Sequence, residues 1–554
     1  MNEIRDLEHS DLELGSLTPV WSQPNPSDVR CGRVVSTTGS TLIVLLDDGL
    51  QEDRALRMGS LVRIRAQDAT VYGIVEGLST PMPSKGDDVA EMHLAEIGLL
   101  GEVSDGTTAG ERRFRRGVSQ VPTLGAGLYL ASQDDVKSVY AIPDRNQIIV
   151  GSLHNDANVP ACISIDDLLC KHFALLGTTG VGKSCALTLI LTRILEQSPN
   201  GHVLLLDPHG EYGQAFGDLA EHLTVDTFRL PFWLTNFEEL TEIVFGAAKR
   251  EMVAEIMLLR ELVRDAKVKF ASPADASWIT VDTPVPYSLA VLNRQIDHAM
   301  GSLDKHAEIP AYQRIKSRLA VLQSDSRYGF MFNTGINTRD NFASILGALF
   351  RVPAQGKPIA VFDLSRIPSE VLNVVVAVVC RIAFDFSMCA GQKLPLLLVC
   401  EEAHRYAPQD TELGFEPAKR ALSRIAKEGR KYGISLGVIS QRPSELASTI
   451  LSQCSTVFAF RMANERDQEI IQATLSEASL ALFAALPFLG NMEAIAIGEG
   501  VPVPMRLIFE NLTGTKQPRS NSALFSERWR MAEDSSVTEL QHAVSGLRGQ
   551  KSIA

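Results

Sequence analysis

Gly177-Thr178-Thr179-Gly180-Val181-Gly182-Lys183-Ser184 follows directly on the apolar run Phe173-Ala174-Leu175-Leu176. This is the G-x-x-x-x-G-K-[ST] pattern in the place its chemistry requires, between a strand and a helix. The glycines let backbone N–H groups close around phosphates, and the following helix offers them its positive N-terminal end. Lys183 is suited to neutralise the β- and γ-phosphates of a nucleotide such as ATP, and the Ser184 hydroxyl to ligate Mg²⁺. Cys185, next along, completes the stretch expected to line the nucleotide. Ala186, Leu187, Leu189, Ile190, Ile194 and Leu195 then recur at helical spacing. A nucleoside triphosphate is the implied ligand.

Outward from this loop, composition sets the bounds. The chain has 554 residues, more than one core usually fills, so two or three domains are expected. Its 45% hydrophobic and 21% charged residues are ordinary for a globular protein. No N-terminal stretch joins a basic start to an apolar core, and Val371–Cys380, interrupted by Asn373, reads as too short to span a bilayer. The expected location is cytoplasmic, with no membrane partner. Eight scattered cysteines without a Cys-x-x-Cys pair suggest small buried hydrophobes in a reducing compartment. A net charge of −13 argues against a broad basic surface, though not against a basic ring inside a channel.

Pattern changes along the chain divide it. Residues 1–30 read as a loose, acidic, proline-containing arm. Residues 31–150 carry short alternating runs such as Thr41–Leu46 between glycines, the signature of a small β-barrel. Residues 151–512 alternate strand and helix, predicting an α/β fold with a largely parallel sheet around the phosphate loop. Helical spacing without strands at about 236–327 predicts a helical insertion. Residues 513–554, polar and serine-rich, read as a tail or brace.

Three further strand ends carry chemistry. Leu396-Leu397-Leu398-Val399-Cys400 runs into Glu401-Glu402-Ala403-His404. Adjacent carboxylates there fit a Walker B pair, with Glu401 holding the metal and Glu402 polarising the attacking water. Val203–Leu206 ends in Asp207-Pro208-His209-Gly210-Glu211-Tyr212, so that Asp207 and Glu211 stand near the nucleotide unless Asp207 merely caps a turn. Ser440-Gln441-Arg442-Pro443 closes another strand, with Gln441 as γ-phosphate sensor or as a turn residue. Arg420, Arg424 and Arg430 lie on one predicted helix, and the sequence alone does not separate a transition-state arginine from solvated ones.

The phosphate loop, Asp207–Tyr212, Glu401–His404, Gly429-Arg430-Lys431-Tyr432-Gly433 and Ser440–Pro443, in this chain order, resemble the HerA ATPases of the HerA/FtsK superfamily, over about Cys31 to Leu512, which implies a RecA-like P-loop NTPase domain. The resemblance implies a ring, most often a hexamer, that moves DNA through its channel at the expense of ATP. It implies Arg430 as a finger acting on a neighbour's nucleotide, Lys171 as a basic residue near the phosphates, and the barrel as an assembly and partner-docking module. Glu401 departs from the Asp common at its position. The loop 405–420, with Lys419 and Arg420, is a candidate DNA contact or a solvated loop. The implied partner is a nuclease or, in bacterial antiphage systems, an effector such as a sirtuin-like NADase. The cysteine, glutamine and asparagine content favours the bacterial setting. The alternative is an ATP-switched scaffold that arrays effector subunits without processive translocation.

Overall fold

Alternation of buried and exposed residues builds the first of two sheets. In the computed structural model, residues 30–47, 56–81, 92–104, 113–142, 146–272, 276–302, 307–332, 340–410, 416–474, 480–518, 525–530 and 536–549 are described. The expected arm, 1–30, apart from Arg30, and the centre of the loop 405–420, at 411–415, lie outside them. Contacts divide the chain into two units, Met1–Ser138 and Val139–Ala554.

In the first unit the strands are β1 (Arg30–Thr38), β2 (Thr41–Leu46), β3 (Leu61–Arg65), β4 (Ala69–Ser79), β5 (Leu94–Ser104), β6 (Arg115–Arg116) and β7 (Gly127–Leu130). They pair in the order β2-β1-β7-β3-β4-β5-β6, and β2 also pairs with β5. Six antiparallel strands therefore close into a barrel, with β6 added outside β5. Val34, Val44, Val62, Ile64, Val75 and Ile97 fill its interior. Bulges in β1 near Val34 and in β4 near Tyr72 and Val75 supply the local bends that closure needs.

The second unit holds β8 (Gln147–Leu153), β9 (Pro160–Ser164), β10 (Phe173–Leu176), β11 (Val203–Asp207), β12 (Ala220–Leu223) and β13 (Ile359–Asp363). It continues with β14 (Leu396–Cys400), β15 (Ile434–Ser440), β16 (Thr456–Phe460), β17 (Glu493–Gly498) and β18 (Met505–Phe509). The order is β12-β13-β11-β14-β15-β10-β16-β17-β18-β8-β9. From β12 to β16 every neighbour is parallel; from β16 to β9 every neighbour is antiparallel. β10, β11, β14, β15 and β16 are buried at every residue, as strands covered on both faces must be.

Three features differ from the sequence expectation. The border falls at Ser138/Val139, ahead of 150, because β8 pairs with β18 and so belongs to the second sheet. Among the described residues, helical structure without strands extends past 327 to the helix Phe342–Phe350, whose Leu349 and Phe350 join the main core. It opens on a capping box, Asn236 with Glu239. The apolar run at Val371 is part of a 22-residue helix, Ser369–Ala390. With the turn Gly391–Lys393 that follows it, the stretch Val371–Lys393 is long and apolar enough to cross a membrane, but 72% of its apolar window is buried inside the fold, where it serves as a core helix.

Candidate nucleotide site

Parallel strands open their C-terminal ends on one edge of the sheet, where ligands gather in such folds. β15 separates β10 from β14, and β11 flanks β14. Gly177, Gln441, Glu401 and Asp207 therefore arrive from four neighbouring strands.

The loop itself is shaped by its glycines. Gly177 has φ +156°, and a Cβ there would meet the Phe460 Cβ at 2.6 Å. Gly182 has φ +104°, and a Cβ would collide with the Met492 sulfur. The Gly177 and Thr178 N–H groups donate to the Ser440 and Arg461 carbonyls at 3.3 and 3.1 Å, and the Val181 carbonyl accepts from Met492 N at 2.9 Å. Gly180 is the other left-handed glycine, at φ +78°. Lys183 is buried and folds its ammonium onto the Gly177 and Thr178 carbonyls, at 2.8 and 2.9 Å. Burial lowers its pKa, while Glu401, Glu402 and Glu211 hold the charge in place. The loop thus keeps a cation ready with carbonyl contacts that phosphate oxygens can replace.

Ser184 Oγ donates to Glu211 Oε2 at 3.1 Å. Half-buried Cys185 follows it on the helix Lys183–Gln197. Asp207 proves to be the turn cap: Oδ1 accepts from the N–H groups of His209 (3.2 Å) and Gly210 (2.8 Å), Oδ2 from Tyr212 (3.0 Å). Its oxygens are committed to shaping the turn that brings Glu211 to the phosphate loop. Tyr212, buried below, donates its hydroxyl to Glu401 Oε2 at 2.7 Å. Burial pushes Glu401 up to about 8, against the pull of that hydroxyl and of Lys183.

Glu402 sits at φ +50°, a left-handed conformation unusual for a residue with a Cβ and characteristic of functional sites. Burial raises its pKa, and its Oε2 has no hydrogen-bond partner. His404 Nδ1 lies 3.3 Å from that oxygen, and His209 Nε2 lies 3.9 Å from Oε1. His404 also contacts Ser440 Oγ at 3.1 Å, and burial pushes its pKa down to about 4, so the ring is neutral. Thr179 donates its hydroxyl to Gln441 Oε1, which ties the strand end of β15 to the phosphate loop.

Two predicted residues lie elsewhere. Lys171 precedes β10, at the opposite end of that strand from the loop, and pairs with Glu499 and Asp167. It does not approach this chain's own phosphates. Arg430, exposed at the end of the helix Glu416–Tyr432, stands beside the start of β15; the seven residues of that strand put roughly 20 Å between it and Gln441. Arg420 is bound to both oxygens of Glu238 at 2.6 Å, and Arg424 lies 4.1 Å over the Phe384 ring. Arg430 has no side-chain partner among the described residues. Lys419 reaches the Gln409 carbonyl at 3.3 Å.

Sequence reasoning assigned no role to Tyr212, His404 or Arg461, although the first two stood in the quoted motifs. Arg461 carries no motif; it is placed by β16 and bonds the Leu489 carbonyl (3.4 Å) and Asn491 (3.2 Å).

The donor set fits Mg²⁺. Ser184, Glu211 and Glu401 offer oxygen only, the preference of a hard cation. Among the described residues no three His, Cys, Asp or Glu side chains form a ready cage. Magnesium at phosphates needs only one or two protein oxygens.

Phosphate loop, intervening strand and paired acids define a P-loop NTPase. Residues 148–383 match the family described as Helicase HerA, central domain. The DNA double-strand break repair helicase HerA of Pyrococcus furiosus is 27% identical over 470 residues, covering 75% of this chain and 79% of its own. That of Sulfolobus acidocaldarius is 26% identical over 436 residues, with the same two coverages. Among solved structures, VirB4 of Thermoanaerobacter pseudethanolicus aligns with TM-score 0.49 at 17% identity, covering 67% of this chain and 98% of that one. The plasmid coupling protein TrwB with an ATP analogue aligns with TM-score 0.45 at 16% identity, covering 71% and 95%. The chain carries a HerA-type helicase domain and is a homologue of the HerA ATPases.

Proposed function

We propose that this chain hydrolyses ATP with Mg²⁺ and uses the energy to move along DNA as a ring of identical copies. The observation that carries the chemistry is the convergence of Lys183, Ser184, Glu401, Glu402 and Gln441 on one sheet edge. DNA as the track rests on the homologous break-repair helicases.

In this reading the loop N–H groups and Lys183 hold the phosphates, Ser184 and Glu401 hold Mg²⁺, and Glu211 orients Ser184. Bound there, Mg²⁺ would offset charge on the β- and γ-phosphates. The unpartnered Oε2 of Glu402 receives the proton of the attacking water, and Gln441 reads the occupied loop through Thr179. Arg430 acts on the neighbour's nucleotide. Its unpaired guanidinium and its place on the far edge support this over Arg420 and Arg424, which are engaged within the chain.

The finer reading is a cytoplasmic hexamer working with a nuclease or a sirtuin-like effector, in antiphage defence. The motif resemblance supports it, and the barrel is its docking module: Leu124 and Val121 are 67% and 43% exposed there. ATP turnover with and without duplex DNA tests the motor. Stimulation by DNA that disappears in Glu402→Gln is expected; turnover indifferent to DNA would favour the ATP-switched scaffold.

A further inference from the structure

The phosphate-loop edge carries an apolar side chain largely open to solvent. Phe488 is 82% exposed, at the end of the turn Leu486–Phe488. That turn belongs to the nucleotide site by its bonds: Met462 N donates to the Leu486 carbonyl at 3.3 Å, and Met492 N to the Val181 carbonyl of the loop at 2.9 Å. Arg461, whose carbonyl holds Thr178, grips the Leu489 carbonyl. The Phe488 ring is therefore held in fixed relation to the phosphates. A bare phenylalanine of this exposure costs solubility and is the kind of anchor that interfaces use.

The opposite edge carries the complementary shape. A cavity of about 520 Å³ opens at the starts of β11, β14 and β15, lined by Leu169, Cys170, Ile194, Pro395, Arg430 and Ser435 among others. It is mainly apolar, has room for a phenyl ring and the turn that bears it, and has Arg430 in its wall. Ser435 is 7% exposed and its Oγ has no hydrogen-bond partner. A buried hydroxyl left unpaired in a cavity wall asks for an acceptor from outside, which the carbonyls of an incoming turn would supply.

We infer that Phe488 of one copy seats in the cavity beside Arg430 of the next, and that this contact delivers Arg430 to the neighbour's phosphate loop. Knob and socket lie on opposite edges of the same parallel sheet. Their contact is therefore head-to-tail, and it builds a ring where the rotation closes. Charge agrees with shape: Arg430 would meet the edge that gathers Glu211, Glu401 and Glu402. This inference rests on the trans role of Arg430 and adds the contact that positions it.

Cys170, exposed in the cavity wall, allows a direct test. Phe488→Cys full-length protein is oxidised with copper-catalysed oxygen, which takes two electrons and two protons from each thiol pair. Disulfide-linked multimers that vanish in Phe488→Cys/Cys170→Ser are expected. In parallel, Phe488→Asp should lower ATP turnover at least tenfold and reduce ring mass by light scattering, with the monomer fold intact by circular dichroism. No Cys170-dependent multimers together with wild-type turnover in Phe488→Asp would overturn the inference, even if Arg430 proves to act in trans. Cys170-dependent multimers with undiminished turnover in Arg430→Ala would instead uphold the contact and remove the reading it serves.

Discussion

The two edges of the large sheet are built from the same strands and do opposite things. At the C-terminal edge, polar groups pair with one another, Lys183 on its own loop, Ser184 on Glu211, Tyr212 on Glu401 and Thr179 on Gln441, while Glu402 Oε2 is left without a hydrogen-bond partner. At the N-terminal edge, strand starts leave an apolar hollow with an unpaired arginine and an orphan hydroxyl. In the proposed reading the first edge lacks only a transition-state cation. In that reading Arg430, at the second edge, supplies it to a neighbouring copy. The comparison teaches that one sheet presents two unlike surfaces, and in the proposed reading a second copy completes both.

Removing the charge at the first edge is the harshest way to break this contrast. Lys183→Ala should abolish ATP turnover and weaken nucleotide binding, because the phosphates lose their buried point charge. Fluorescent-nucleotide titration and phosphate release check both effects; binding at wild-type affinity would place the nucleotide elsewhere. A milder change sharpens the role of the strand beneath. Tyr212→Phe deletes the hydroxyl on Glu401 and should cost about 1 kcal/mol, roughly fivefold in turnover, chiefly at limiting Mg²⁺. An unchanged Mg²⁺ dependence would separate Tyr212 from the metal position.

The smallest effect lies beside the second edge. Buried His172, just before β10, accepts from Leu436 N at 2.9 Å through Nδ1 and donates from Nε2 to the Ala426 carbonyl at 3.0 Å. Burial lowers its pKa from the ordinary 6.5. The folded state therefore binds this proton less readily than the unfolded chain, so stability is full above pH 6.5 and is lost as pH falls through and below it. Melting temperature against pH should fall on that limb, and His172→Gln should flatten the slope. An unaltered slope would assign the acid sensitivity to other groups.

Much of the first edge was legible because its chemistry is local. The phosphate loop, Glu401-Glu402 and Gln441 follow strands whose unbroken apolar runs announce themselves. Asp207 was ambiguous for a physical reason: a carboxylate after a strand caps a turn or faces a ligand, and only the positions of the His209, Gly210 and Tyr212 N–H groups decide. The antiparallel wing was not legible. β8 and β9 join it from before the phosphate loop while β17 and β18 come from the far end, a pairing that no local pattern encodes. Lys171, which the resemblance implied near the phosphates, stands at the other end of β10 from the loop, paired with Glu499 and Asp167. The second edge was invisible, since Arg430, Cys170 and Ser435 are brought together only by the sheet.

The central claim is that each nucleotide is served by two copies. Arg430→Ala and Lys183→Ala proteins, each inactive or nearly so, are mixed, and ATP turnover is measured against their ratio. Some interfaces in mixed rings pair an intact phosphate loop with an intact arginine. Turnover should therefore rise well above the sum of the two proteins and peak near equal amounts. Turnover equal to that sum at every ratio, or full turnover in Arg430→Ala by itself, would contradict the account.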